Sequence, residues 1–212
     1  MTAFDRRWHR RRRGQRGRLF GTSRQEASSR RRQKTMTLQE YLATPESVTP
    51  QELIFGALRV ADSPSPTHQA SVAALFLELH EHVTRRALGT VWFAPLDVIL
   101  DADRALVVQP DLLFIANDGA AIVADKVRGA PDLVVEVLSP KPRIGDIGER
   151  VSWFRDYGVR ECWLVHQTGP TVEVLEFESK HLTARREHDA FDAIQSRVLP
   201  DFNRTLSGVL GF

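Results

Sequence analysis

Apolar residues recur at helical spacing in the first half of the chain. Between Thr67 and Leu88 they lie three or four positions apart, at Val72, Leu75, Phe76, Leu79 and Val83. Positions at these intervals share one face of an α-helix. The pattern therefore predicts an amphipathic helix that ends at Gly89 and follows a loop formed by "SPSPTHQ".

Other helices are predicted from their end signals. "TLQEYLA" has Thr37 as N-cap and Glu40 three residues later, which is the spacing of a capping box. "GDIGERVSWFRDYGV" places its large apolar side chains on one face and ends at Gly158. "FNRTLSGVLGF" is predicted to form a terminal helix.

Strand-length apolar runs fill most of the remaining chain and are separated by Gly, Pro and Asp. The run "ELIFGALRVA" is broken by Gly56, which predicts a tight hairpin. Further runs are "TVWFA", "LDVIL", "ALVVQP", "DLLFIA" and "DLVVEVLS", then "ECWLV", "TVEVLEFE" and "HLTARRE" after the second long helix. This order of elements predicts an α/β fold with a mixed β-sheet flanked by helices.

The net charge of +2 conceals two different parts of the chain. Residues 1–35 contain thirteen Arg and Lys and two acidic residues, which leaves sixteen basic and twenty-five acidic residues in 36–212. The basic head has no apolar periodicity and cannot bury enough surface to offset its ordering entropy. We therefore expect a disordered Arg-rich head at 1–35 and a single domain at 36–212.

Three interpretations of the head compete. An export signal is disfavoured because no apolar segment follows the twin arginines. Clustered arginines favour a nucleic-acid-binding arm, since they release counterions from phosphate. Alternatively, translation starts at Met36, directly before the first predicted helix, and the head is not part of the protein.

Cysteine and aromatic residues are expected to lie in the core. Cys162 is the only cysteine and lies in the apolar run "ECWLV", so a reduced thiol and a cytoplasmic location are the simplest inferences. Core positions are also predicted, in preference to a base-stacking platform, for Trp92, Phe93, Trp153 and Trp163. No apolar run reaches about 18 residues, so no membrane span is predicted.

Two carboxylates in apolar runs are candidates for chemistry. Asp111 opens "DLLFIA", and Glu136 lies in the middle of "DLVVEVLS". An unpaired buried carboxylate is costly, so one kept in a strand usually has a partner or a task. If the two strands are neighbours, both side chains face one point and offer hard oxygen ligands to Mg²⁺ or Mn²⁺. On spacing alone, a turn residue and an edge-strand charge are the alternative.

Several longer motifs occur together from Met36 onwards. They are "ELIFGALRV", "SPSPTHQ", "LDVIL", "VVQPDLLFI", "GAPDLVVEVLSP", "GDIGERVSWFRDYGVRECWLV" and "TVEVLEF". In this order and spacing the chain resembles the Uma-type restriction endonuclease family, which belongs to the PD-(D/E)xK nuclease superfamily. The resemblance implies a restriction-endonuclease-like core, endonuclease activity that depends on Mg²⁺ or Mn²⁺, and DNA as the substrate.

The resemblance also implies roles for individual residues. Asp111 matches the motif aspartate and Glu136 the second acidic ligand, and both would hold the divalent ion. Glu52 matches an acidic residue that the superfamily often places on its first helix or hairpin, where it contacts metal or metal-bound water. Asp97 and His68 lie in family-typical segments and would line the cleft, although His68 is equally compatible with a loop histidine that has no role.

One position departs from the superfamily pattern. Its lysine should follow the second acid by two residues, where this chain has Leu138. The family supplies the lysine from the next helix, at the position of Arg150. Arginine can neutralise a phosphate transition state but cannot accept a proton, so activation of water would fall to the metal or to Lys141.

Two main hypotheses for function follow. The first is a metal-dependent endonuclease that hydrolyses phosphodiester bonds of DNA, and its catalytic set is Glu52, Asp111, Glu136, Lys141 and Arg150. The second is a catalytically degenerate nuclease fold that binds nucleic acid or a protein partner without cleavage, which Arg150 favours. A third is a domain whose acidic pair holds metal only for stability. The net negative charge outside the head opposes DNA binding unless basic residues are concentrated locally. Fold analogy leaves a homodimer open.

Overall fold

The structure is a computed structural model that describes residues 35–45, 47, 49–139 and 146–211. Its backbone hydrogen bonds define helices and strands. The helices are α1 (Leu38–Leu42), α2 (Pro66–Arg85), α3 (Ile147–Tyr157) and α4 (Leu206–Leu210), with a 3₁₀ helix at Asn117–Ile122. The strands are β1 (Gln51–Ile54), β2 (Ala57–Val60), β3 (Gly89–Phe93), β4 (Val98–Asp101), β5 (Leu106–Val108), β6 (Leu112–Ala116), β7 (Val127–Arg128), β8 (Leu133–Leu138), β9 (Glu161–His166), β10 (Thr171–Glu178) and β11 (His181–Asp189).

The strands form two sheets. The smaller sheet has the order β2-β1-β5-β4-β7, and the larger sheet has the order β11-β10-β9-β8-β6-β3. In the larger sheet β8 and β9 are parallel and the other neighbouring strands are antiparallel. The predicted mixed sheet flanked by helices is therefore confirmed. The division of the strands into two sheets is a feature that the apolar pattern does not predict.

Three apolar clusters separate the layers of the fold. The first packs α2 and α4 against one face of the larger sheet. The second fills the space between the other face of that sheet, the smaller sheet and α3, and it contains the fully buried Cys162, as predicted. The third lies between the smaller sheet and α1. Within the described residues, no helix has the length and apolar composition needed to cross a membrane.

The end signals place α1 and α3 closely, whereas α2 ends at Arg85 and its predicted stop, Gly89, is the first residue of β3. Glu40 N donates to Thr37 Oγ1 at 3.1 Å and Thr37 N donates to Glu40 Oε2 at 2.8 Å, so the predicted capping box is present. α3 ends at Gly158 in the left-handed region, also as predicted. The loop predicted at "SPSPTHQ" is wrong from Pro66 onwards. Ser65 caps α2 and Pro66 fits its first turn, which is a helix start signal.

Two of the predicted core aromatics are exposed. Trp163 is completely buried, but Trp92 and Phe93 are exposed on β3. β3 is the edge strand of the larger sheet, and no strand of the described residues lies on its outer side. The core prediction is therefore wrong for this pair.

Gly89 lies against the backbone of β6. A Cβ atom at Gly89 would lie 2.1 Å from the carbonyl oxygen of Ile115. Gly89→Ala should therefore force the two strands apart and lower the free energy of unfolding by about 2–3 kcal/mol in urea titrations. Gly119→Ala is the control, since its Cβ would make ordinary contacts, the nearest at 3.4 Å. Equal stability of the two variants would contradict this explanation.

Candidate active site

The pairing of β6 with β8 brings Asp111 beside Glu136. Leu112 lies opposite Val135 in this antiparallel pair, so the preceding residue, Asp111, comes opposite Glu136. Asp111 lies directly before β6 rather than inside it. Its Oδ2 accepts a hydrogen bond from Val137 N at 2.7 Å, which fixes the carboxylate against β8.

Strand alternation directs two glutamates into the same layer. Val135 and Val137 face α2, whereas Val134 faces the smaller sheet, so Glu136 points between the two sheets. On β1, Ile54 faces the larger sheet, and Glu52 therefore points in the same direction from the opposite side. Glu52 and Glu136 thus approach each other across the inter-sheet layer, and both are buried.

Arg150 joins these two glutamates. It projects from the first turns of α3, which begins at the N-cap Asp146. Its Nε donates to Oε1 of Glu136 at 2.7 Å, and its Nη1 lies 2.8 and 2.9 Å from the two carboxylate oxygens of Glu52. Arg150 is only 5% exposed, so the three side chains form a buried ionic cluster.

The cluster contains two acidic side chains and one basic side chain. Burial raises the pKa of Glu136 to about 8, and the carboxylates of Asp111 and Glu52 act in the same direction, while the Arg150 guanidinium opposes them. Burial lowers the pKa of Arg150, but the two glutamates together raise it above its usual range, so the guanidinium stays charged. Two glutamates therefore share one guanidinium among the described residues.

His68 contacts the candidate metal ligand Asp111. It lies in the first turn of α2, where its backbone N donates to Ser65 Oγ. Its Nε2 lies 3.2 Å from Oδ2 of Asp111, and this hydrogen bond raises the pKa of His68 although burial lowers it. Of the two interpretations of His68, the structure favours a residue of the cleft.

Asp97 lies on the opposite face of the smaller sheet, so its predicted position in the cleft is wrong. It is buried, and Tyr41 Oη at 3.0 Å and Gln109 Nε2 at 2.8 Å both donate to its Oδ1. Lys126 Nζ lies 2.8 Å from its Oδ2. Asp97 therefore ties α1 and the residue before β7 to this face of the smaller sheet.

The sequence pattern does not predict the roles of Gln109 and Lys126. Gln109 N donates to Oε1 of Glu52 at 2.7 Å while the side chain of Gln109 reaches Asp97, so this residue connects both faces of the sheet. In the sequence, the only indication of a role for Gln109 is its position directly before Pro110 and Asp111. Lys126 directly precedes β7, and a strand of two residues is too short to be predicted from its apolar pattern. The position of Lys126 beside Asp97 was therefore not predictable. Lys141 lies outside the described residues.

The donor atoms of Asp111 and Glu136 fit a divalent ion such as Mg²⁺. Oδ1 of Asp111 and Oε2 of Glu136 accept no hydrogen bond from the described residues. Mg²⁺ is commonly held by one or two carboxylates, with water in its other positions. No group of three or more His, Cys, Asp or Glu in the described ranges is arranged to hold a metal. The protein would therefore supply this pair and leave the remaining positions to water.

Comparison with known proteins and protein families identifies the family of this chain. A search of curated proteins finds no match. A crystal structure of "a putative nuclease belonging to DUF820" from Anabaena variabilis ATCC 29413 matches with a TM-score of 0.69 and 17% identity, over 83% of this chain and 98% of that chain. This similarity shows a shared restriction-endonuclease-like fold, as predicted. The family model Uma2, "Putative restriction endonuclease", matches residues 38–207. Because that range includes most of the chain, the chain belongs to the Uma2 family.

Proposed function

We propose that this chain is a divalent-metal-dependent endonuclease that hydrolyses phosphodiester bonds of DNA. The proposal rests on one observation: neighbouring strands place Asp111 and Glu136 side by side, next to the buried Arg150. Membership of the Uma2 family supports a nuclease, and the description of that family supports DNA as the substrate.

Asp111 and Glu136 would hold the ion through the oxygen atoms that accept no hydrogen bond from the described residues. Bound Mg²⁺ or Mn²⁺ supplies Lewis-acid stabilisation of phosphoryl oxygens and lowers the pKa of water. His68 and the backbone of Val137 orient Asp111 by hydrogen bonds to its Oδ2. The other oxygen, Oδ1, accepts no hydrogen bond from a described residue and is left for the ion.

Arg150 is suited to binding a phosphate oxygen. Its Nε and Nη1 are held by the two glutamates, and its Nη2 donates to no described residue. A guanidinium fixed in this way forms charge-assisted hydrogen bonds to phosphate with little loss of side-chain freedom. Glu52 would therefore position Arg150, in addition to the contact with metal or metal-bound water that the resemblance implies.

Hydrolysis also requires a group that accepts a proton from the attacking water. Arg150 cannot supply it, since a guanidinium stays protonated. Lys141, the other cation predicted for this role, lies outside the described residues and stays a prediction.

A second candidate function is binding without cleavage. The observation that favours it is the direct bond between Arg150 and Glu136 at 2.7 Å. This internal cation already neutralises part of the charge that would attract a divalent ion. A chain of this kind would retain the nuclease fold and bind nucleic acid or a protein partner.

Incubation of the full chain with supercoiled plasmid separates the two candidates. We expect nicked and linear products with Mg²⁺ or Mn²⁺ and intact plasmid with a chelator, because hydrolysis requires the ion. Arg150→Lys is tested in parallel. A silent wild type whose Arg150→Lys variant cuts would favour the degenerate nuclease. Plasmid left intact by both proteins but retarded in a gel would favour binding alone.

A further inference from the structure

The two edges of the larger sheet differ in charge. β11 forms one edge and carries His181, Arg185, Arg186, Glu187, His188 and Asp189. β3 forms the other edge and reads "GTVWF", with no ionisable side chain. Proteins usually protect an exposed edge strand with charges, because its unpaired backbone groups are a template for another strand. β3 lacks this protection.

The backbone of β3 has hydrogen-bonding groups that point away from the sheet. Ala94 N donates to Asp111 O and Asn117 N donates to Leu88 O, which fixes the bonded positions of the β3–β6 pair. Hydrogen bonding alternates along antiparallel strands, so the N–H and C=O groups of Val91 and Phe93 face outward. No strand of the described residues pairs with this side of β3.

Each face of this edge exposes an aromatic side chain. Phe93 is 54% exposed and packs edge-to-face against Phe76 of α2, with the ring centroids 4.9 Å apart. On the opposite face Trp92 is 37% exposed, beside a surface pocket of about 180 Å³ whose lining includes Ile115 and Val123. Exposed apolar surface next to an open strand edge is typical of an interaction site.

We propose that β3 pairs antiparallel with β3 of a second copy of this chain about a twofold axis. In such an interface the same patch of both copies meets itself, so an uncharged strand avoids contacts between like charges. The outward groups of Gly89, Val91 and Phe93 are all satisfied when Val91 of one copy lies opposite Val91 of the other. Thr90 then lies opposite Trp92. Nucleic acid does not suit this edge, since β3 offers no cation.

The pairing has a consequence for the candidate active site. β3 leads directly into Ala94, whose N–H bonds the carbonyl of Asp111. A dimer through β3 would stabilise the strand end that carries Asp111 and hold two sites in a fixed relation. This consequence rests on the proposed function, whereas the dimer does not.

Analytical ultracentrifugation of the full chain over a range of concentrations tests the interface. We expect a monomer–dimer equilibrium that Thr90→Lys and Trp92→Lys each weaken at least about tenfold. Thr90→Lys sets a charge opposite Trp92 of the other copy, and Trp92→Lys replaces that apolar ring by a charge. Both side chains are exposed, and circular dichroism will show that the variants remain folded. Leu182→Lys is the matched control, since Leu182 is 49% exposed on the opposite edge strand and should leave the dimer unchanged.

A chain that is monomeric at every concentration would overturn the proposal. So would a dimer that both β3 variants leave intact, or one that Leu182→Lys weakens equally. The plasmid assay is read separately. A wild type that dimerises without cutting refutes the proposed function alone, and a monomer that cuts refutes the interface alone.

Discussion

Replacing Arg150 by alanine should lower the free energy of unfolding by about 3–5 kcal/mol. The guanidinium is buried between Glu52 and Glu136 and makes hydrogen bonds of 2.7–2.9 Å with both. Without it, two buried carboxylates lose their cation, and each must remain charged without a partner or take up a proton. Urea unfolding followed by circular dichroism will measure the loss.

Arg160→Ala provides the control for this experiment. Arg160 also pairs with a carboxylate, that of Asp132 at 2.9 Å, but its side chain is 52% exposed. Exposed ion pairs contribute little, so this variant should lose at most about 1 kcal/mol. Similar losses of unfolding free energy in both variants would show that burial of Arg150 does not determine its contribution to stability.

The loss caused by Arg150→Ala should also depend on pH. The pKa of Glu136 in the folded protein is already raised to about 8, and removal of the cation raises it further. A carboxyl whose folded pKa lies above its unfolded value favours the folded state only while it is protonated, so stability falls as pH rises between those values. The difference from wild type should therefore be smaller at about pH 5 than at about pH 9. A difference independent of pH would contradict this explanation.

Asp111→Asn and Glu136→Gln should each slow plasmid cleavage by about a thousandfold or more, the equivalent of about 4 kcal/mol of transition-state stabilisation. Both substitutions keep the size of the side chain and remove the charge that would hold the ion. The rate of loss of supercoiled plasmid at saturating Mg²⁺ will measure the effect, with thermal unfolding as the check on folding.

The second Pro-Asp pair of the chain supplies the matched control. Asp132 follows Pro131 as Asp111 follows Pro110, but its carboxylate accepts hydrogen bonds from Ala116 N at 2.8 Å and Arg160 at 2.9 Å. These contacts join neighbouring strands and give Asp132 a structural role. The Asp132→Asn variant should therefore cleave plasmid at close to the wild-type rate. Equal rates for Asp111→Asn and Asp132→Asn would remove Asp111 from the site.

Local sequence signals predicted the features that depend on local structure. The capping residues Thr37 and Glu40 and the terminating Gly158 predicted the ends of α1 and α3, because caps act within one turn. The strands carrying Asp111 and Glu136 were also predicted, because both are short apolar runs between turn residues. The sequence left open whether these strands are neighbours, and the structure pairs β6 with β8.

Features that depend on packing between layers could not be predicted. Glu52 and Arg150 are 98 positions apart and meet because α3 packs against the smaller sheet. The resemblance implied that Asp97 lines the cleft, and alternation could not have corrected this, because apolar residues cover both faces of the smaller sheet. Trp92 and Phe93 were placed in the core because the sequence does not tell which strand forms the edge.

Binding of Mn²⁺ to the full chain, followed by electron paramagnetic resonance of the free ion, tests most directly whether Asp111 and Glu136 hold a divalent ion. The predicted result is saturable binding of a single ion per chain. Asp111→Asn and Glu136→Gln should each weaken it at least about a hundredfold, and Asp132→Asn should not. A wild-type chain that binds no Mn²⁺, or variants at Asp111 and Glu136 that bind it as tightly as wild type, would contradict the account.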